Sequence, residues 1–543
     1  MKKFPFRECK FFPHQIEFTG RLFQSWLIQD LKKYLKSLYS LALLFIVSVS
    51  LSGQVSGDYQ TTGSGNWSNN AIWEVHNGTS WNPCGALDYP GAAAGTQTVN
   101  IRNGHTVTMD VSPLTIGALT FANNSTASGL VINGQTLSIT GAVTFGAPTA
   151  NPGDQTITLG TGTINCASIS MPSTGNAGWD LLITGSDGII NATGNIIMTG
   201  GSDRNNIVFS GAGVINVGGH FTGGGFTCGT STVNYNGGTQ NIGPYTYYNL
   251  TISGTDNNKT LQGSIIIGGT LAVNAGTLDF SNFGVRTVSV AGNLSGTGAI
   301  DMASGGSLAH QMTLNGASNS IGNFICGSGT VIYSGNVAQQ IFGGTYYNLT
   351  TQTNNQVRTI QGDIVVNNNL TITLGTFDFG NSVARNVIVS ENLSGAGAID
   401  MSGGVMAHSL TLDGVSNSIG TFTTTDGSGS TVNYTRIGDQ GVFVSTRYQN
   451  LNIGGGFGGI KTFSAGSPVT INGNLDVAAG TTLAYNAAAA RTLNVTGNLS
   501  GDGTIDMSSG SFGHTLNLGG SLNYIGALTT APGIASAVNY NRN

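Results

Sequence analysis

The chain repeats itself. Thr232 to Tyr235, Thr330 to Tyr333 and Thr431 to Tyr434 each read Thr-Val-x-Tyr, and Ala537 to Tyr540 opens a further copy. The tyrosines Tyr235, Tyr333, Tyr434 and Tyr540 stand 98, 101 and 106 residues apart. Three landmarks follow each opening in fixed order. The first is an Asn-Leu step behind a tyrosine: Tyr248-Asn249-Leu250, Tyr347-Asn348-Leu349, and Gln449-Asn450-Leu451 behind Tyr448. The second is Asn-Leu-Ser-Gly-x-Gly-x-Ile-Asp-Met, over Asn293 to Met302, Asn392 to Met401 and Asn498 to Met507. The third is Asn-x-Ile-Gly, at Asn319, Asn417 and Asn523. A fixed internal period fixes the architecture before any other feature is read.

Inside each copy the apolar alternation is short. Leu271-Ala272-Val273, Val288-Ser289-Val290 and Met312-Thr313-Leu314 are each ended by Gly, Asn or Ser. Period-two alternation with such breaks reads as strand and corner, and the 84 glycines supply corners at little steric cost. Two-residue hairpin signals are not systematic, which disfavours a sandwich or barrel. The expected fold is all-β, a right-handed parallel β-helix (β-solenoid) built from ~100-residue repeats. With roughly 20–25 residues per coil, a copy spans four or five coils, and the rod is on the order of 100 Å long. Length differences fall in Asp426-Gly427-Ser428-Gly429-Ser430 and Ala531-Pro532-Gly533, turn compositions that lengthen corners. The expected divisions are an entry module over 54–135, a degenerate copy over 136–230, repeats over 231–329, 330–430 and 431–536, and a truncated fourth start over 537–543.

Residues 1–53 read as a signal peptide with a long n-region. Lys32, Lys33 and Lys36 precede the apolar run Leu38 to Leu51, then Ser52 and Gly53. Fourteen residues are short for a membrane span. Eight of the 19 basic and three of the 24 acidic residues lie in that leader, so the remainder carries 11 basic and 21 acidic residues, net −10. Such a balance excludes a nucleic-acid footprint. Cys84, Cys166, Cys228 and Cys326 have no metal or redox spacing and read as small interior or corner residues.

The entry module concentrates Trp67, Trp73 and Trp81, followed by Pro90-Gly91 and Val99-Asn100-Ile101-Arg102-Asn103-Gly104-His105-Thr106-Val107. This order resembles the opening of secreted β-solenoid surface proteins of the Bacteroidota, with a G8-like extracellular module. The resemblance covers about 80 residues. It implies an adhesin-like protein exported by the type IX route, and it implies no ligand residue. The tryptophans themselves read as a cap on the first coil, because a solenoid must cover its open end; the competing reading is a sugar-stacking platform.

The most tempting chemistry is a recurring pair: Asp301 with His310, Asp400 with His408, Asp506 with His514. A carboxylate that orients a histidine is a general-base arrangement. Recurrence in every copy favours a ladder of corner hydrogen bonds instead, and no nucleophile elbow accompanies it. We therefore assign no catalytic, cofactor-binding or metal-ligating residue, and expect no cofactor. The expected function is a secreted or cell-surface, adhesin-like or structural rod. It is monomeric and non-catalytic, has no transmembrane segment after processing, and has glycans or other extracellular-matrix components as partners. The alternative is a carbohydrate-binding or carbohydrate-active β-helix. Tyr247, Tyr346 and Tyr448 would line its face, though internal aromatic stacks suit them better.

Overall fold

The computed structural model describes residues 54–542 apart from 151–152, 175–177, 202–203, 255–256, 353–354, 457–458 and 467. The leader expected over residues 1–53 lies outside the described residues. From Thr98 onward the strands pair only in parallel, most of them with the equivalent strands one turn before and one turn after. The result is a parallel β-solenoid of about 19 turns. At ~4.8 Å per turn it is roughly 90 Å long.

One turn contains three strands. Thr98–Ile101, Thr106–Thr108 and Leu114–Ile116 make such a turn, and Ala118–Phe121 returns to the start. The three strands lie on three walls, called first, second and third here in that order. Alternation decides what fills the interior. On the third wall the register aligns Leu137, Ile164, Ile190, Ile215, Val233, Leu250 and Leu271 as one inward column, and every member is buried. Each contributes about 1.5–3 kcal/mol by leaving water.

The start of the entry module differs from this plan. Tyr59–Thr61 pairs antiparallel with Trp73–His76, which pairs antiparallel with Trp81–Pro83. Trp67 and Trp73 are buried with ring centroids 5.2 Å apart. Trp67 Nε1 donates to the Pro90 carbonyl and Trp73 Nε1 to the Trp67 carbonyl, both at 2.8 Å. These two rings belong to the cap rather than to an exposed platform; Trp81 stays half-exposed against His76.

The landmarks now have physical reasons. In Asn-Leu-Ser-Gly, the leucine points inward and the glycine turns the corner with positive φ: +125° at Gly296, +124° at Gly395 and +111° at Gly501. A Cβ at Gly395 would sit 2.0 Å from the Ile372 carbonyl oxygen of the preceding turn. In Asn-x-Ile-Gly, a side chain substitutes for a missing strand. Asn319 Oδ1 accepts the Leu294 N–H at 3.2 Å and its Nδ2 donates to the Gly316 carbonyl at 2.8 Å. Asn417 and Asn523 do the same for Leu393 and Leu499.

Counting that asparagine as a strand position, Thr232–Tyr235 to Asn323–Ile325 fills fourteen positions, or four and two-thirds turns. Three walls do not divide fourteen, so each Thr-Val-x-Tyr strand lands one wall away from the last. Thr232–Tyr235 is on the third wall, Thr330–Tyr333 on the second and Thr431–Tyr434 on the first. Ala537–Tyr540 returns to the third.

Candidate functional site

The wall shift alters the reading of the Asp and His residues. Asp301 lies on a strand of the first wall, Asp400 on one of the third and Asp506 on one of the second. They cannot form the single ladder expected from their recurrence. Each carboxylate caps its own corner: Asp301 Oδ1 accepts the Ala303 N–H at 2.7 Å, Asp400 Oδ1 the Ser402 N–H and Asp506 Oδ1 the Ser508 N–H, both at 2.8 Å.

The histidines serve a different part of the corner. His310 Nδ1 accepts the Arg286 N–H at 3.0 Å, His408 Nδ1 that of Arg385 at 3.1 Å, and His514 Nδ1 that of Arg491 at 3.2 Å. All three rings are buried. They pack on Phe280, Phe379 and Tyr485, with centroids 5.6, 5.4 and 4.9 Å apart. An Nδ1 that accepts is unprotonated, so each ring is neutral in this arrangement. Burial holds the His408 pKa below the ordinary histidine value. Corner hydrogen bonding is thus the role the geometry gives these residues.

A pairing the sequence reading did not single out lies beside them. Asp279 stands in register with Asp301 on the next turn, and Asp378 with Asp400. Thr359 Oγ1 donates to Asp378 Oδ2 at 2.8 Å and Thr423 Oγ1 to Asp400 Oδ1 at 3.0 Å. The corner after Asp279 carries Phe283, 84% exposed. Among the described residues no group of three or more His, Cys, Asp or Glu side chains is placed to hold a metal ion.

The tyrosines face inward. Tyr235 and Tyr247 lie 3.1 Å apart at their hydroxyls, Tyr333 and Tyr346 3.4 Å, Tyr434 and Tyr448 3.3 Å. The second member of each pair donates to a carbonyl, of Gly243, Phe342 and Phe443 respectively. All six are fully buried, and desolvation raises every one of their pKa values.

Lys259, Arg358 and Lys461 are also buried, each on the turn after an inward glutamine, Gln240, Gln339 or Gln440. Arg358 Nε donates to Gln339 Oε1 at 3.1 Å, and its terminal nitrogens to the Gln356, Gly335 and Gln352 carbonyls at 3.2, 3.2 and 2.7 Å. Lys461 Nζ donates to the Arg436 and Gly438 carbonyls. The sequence reading gave these cations no place in the interior. Their parity would have revealed them: Lys259 and Leu261, Arg358 and Ile360, Lys461 and Phe463 share a strand face, and one member of each pair is plainly core.

The cysteines are free, and Cys84, Cys166 and Cys326 are buried. Burial pushes the Cys166 thiol up to about 12, which leaves it protonated and unreactive at neutral pH. Among the described residues no helix is long and apolar enough to cross a membrane.

The outer face of the third wall carries a column of asparagines. Asn165, Asn191, Asn216 and Asn234 project from four successive turns. Asn191 Nδ2 donates to Asn165 Oδ1 and Asn216 Nδ2 to Asn191 Oδ1, both at 2.8 Å; Asn234 Nδ2 donates to Asn216 Oδ1 at 3.0 Å. Ser138 and Ser253 extend the column at its two ends. Beside it run two open hollows of about 600 and 330 Å³ that share Asn191 and Thr193. Comparison with protein-family models, with curated proteins and with solved structures returns no match.

Proposed function

We propose that the protein is a secreted or cell-surface rod of adhesin-like or structural character that works by presenting a long lateral surface, without catalysis. The observation that carries this reading is what the recurring polar residues do. The Asp, His, buried cation and tyrosine of each copy satisfy corners and interior, and the wall shift distributes them around the rod instead of gathering them at one place. Chemistry needs convergence of groups on a substrate, whereas a scaffold needs each turn to satisfy its own polar groups. The low charge fits neutral extracellular partners such as glycans. The apolar run in the leader supports export. The test is attachment of cells or beads that carry the purified protein to glycan-coated surfaces, with soluble sugar assayed alongside. Attachment without sugar release supports the rod; release of sugar refutes it.

A second reading rests on the stacked carboxylates Asp279 and Asp301 beside exposed Phe283. Two adjacent carboxyl groups are the machinery of glycoside hydrolysis. If sugar is released, Asp301→Asn abolishes the release under this reading and leaves it unchanged if the activity resides elsewhere.

A further inference from the structure

The hollows beside the asparagine column are a consequence of how one corner is built. A Cβ at Gly218 would sit 2.2 Å from the Thr193 carbonyl oxygen, and one at Gly237 1.8 Å from that of Gly218. Backbone is stacked on backbone there, and no side chain fills the space. The asparagines on one side and the bare corner on the other bound a trough that follows the rod axis over successive turns.

The chemistry of the trough is uniform. Its lining contains Asn, Thr, Ser, Gly and Ala with Ile139 and Cys166, and no carboxylate or cationic side chain. A primary amide has two N–H donors and two acceptor lone pairs. Within the column Asn191 uses one donor and one acceptor, so a donor and an acceptor of the same amide remain for a ligand. The column therefore repeats a donor–acceptor unit at the turn spacing of ~4.8 Å, close to the length of one pyranose unit in an extended glycan.

We propose that this trough binds an uncharged, extended glycan laid parallel to the rod axis, with Asn165, Asn191, Asn216 and Asn234 as its hydrogen-bonding rail. The inference rests on the glycan-facing rod reading and gives it a location and a ligand class. Binding is shared over several equivalent turns, so affinity rises with chain length and does not depend on salt.

The structure supplies its own control. Asn494, Asn517 and Asn539 form a second column on the same wall, but neither hollow touches it. The experiment is calorimetric titration of the purified protein with neutral β-1,4-linked oligosaccharides of glucose, mannose, xylose and N-acetylglucosamine, two to six units long. It is repeated on N191L/N216L and on N494L/N517L, with thermal melting of each variant. The expected result is that at least one hexasaccharide binds more tightly than its disaccharide. Its affinity falls at least tenfold in N191L/N216L, stays within twofold in N494L/N517L, and stays within twofold between low and high salt. Unchanged binding in N191L/N216L overturns the trough while the glycan-binding rod stands. Equal losses in both variants, matched by equal losses in melting temperature, assign the asparagines to stability alone and overturn the trough. If none of the panel binds, the trough assignment falls, and the attachment assay above decides the rod separately.

Discussion

Replacing Arg358 by methionine removes a buried cation that four oxygens surround. The methionine fills most of the volume but offers no donor. Gln339 Oε1 and the Gln356, Gly335 and Gln352 carbonyls lose their bonds to the guanidinium. A buried acceptor left unpaired costs about 1–3 kcal/mol. Some of these oxygens regain water through local opening, so the net loss is about 3–5 kcal/mol, the scale seen when a buried charged partner is deleted. Arg358→Lys keeps the charge and costs about 1–2 kcal/mol through lost hydrogen bonds to charged groups, because lysine already fills the same place at Lys259 and Lys461. Stability in a solenoid is carried by nearest-neighbour contacts and unfolding is not strictly two-state. The appropriate assay is therefore native-state hydrogen exchange resolved to single turns. In R358M, amides of Gln339–Ile341, Val357–Ile360 and Thr376–Asp378 lose protection by about two to four orders of magnitude, while those of Thr163–Cys166 keep theirs. Wild-type protection throughout R358M would refute the claim that the buried cation holds these turns.

Three further outcomes follow from the same structure. Gly395→Ala puts a Cβ onto the Ile372 carbonyl oxygen at a positive φ and costs at least ~3 kcal/mol, whereas Gly427→Ala, with φ +77° and no atom within 4 Å, costs only about 1 kcal/mol; denaturant midpoints of the two variants check the contrast. His408 has its folded pKa lowered by burial, so the unfolded chain binds more protons as pH falls below about 6.5 and stability drops there. His408→Gln flattens that part of the melting-temperature profile, and an unchanged slope would contradict the neutral buried ring. The six interior tyrosines have raised folded pKa values, so their contribution is complete below about pH 10 and is lost as pH rises above it. Tyrosinate absorbance should then appear together with unfolding, not before it.

The strand walls were legible because alternation of period two and glycine corners are local properties. The preference of aromatic rings for burial gave the interior placement of Tyr247, Tyr346 and Tyr448 correctly. Tight corners at Gly296, Gly395 and Gly501 were likewise visible as invariant features of the copies. Two things were hidden. Lys259, Arg358 and Lys461 look like surface residues by type, and only their place on the inward face of the strand says otherwise. The distribution of Asp301, Asp400 and Asp506 over three walls depends on fourteen strand positions meeting a three-walled turn. That count includes Asn319, a side chain that stands in for a strand and leaves no alternating signature. The asparagine column was invisible for a related reason: Asn165, Asn191, Asn216 and Asn234 are 26, 25 and 18 residues apart, and unequal corners hide their shared register.

The most direct test of the account is one distance along the rod. Thr251 and Thr470 both point outward from the third wall, ten turns apart. Nitroxide labels at cysteines introduced there, measured by pulsed electron double resonance, should give a single distance near 48 Å at ~4.8 Å per turn. A distribution centred below about 30 Å, which a compact sandwich or barrel of the same length would give, would contradict the continuous stack.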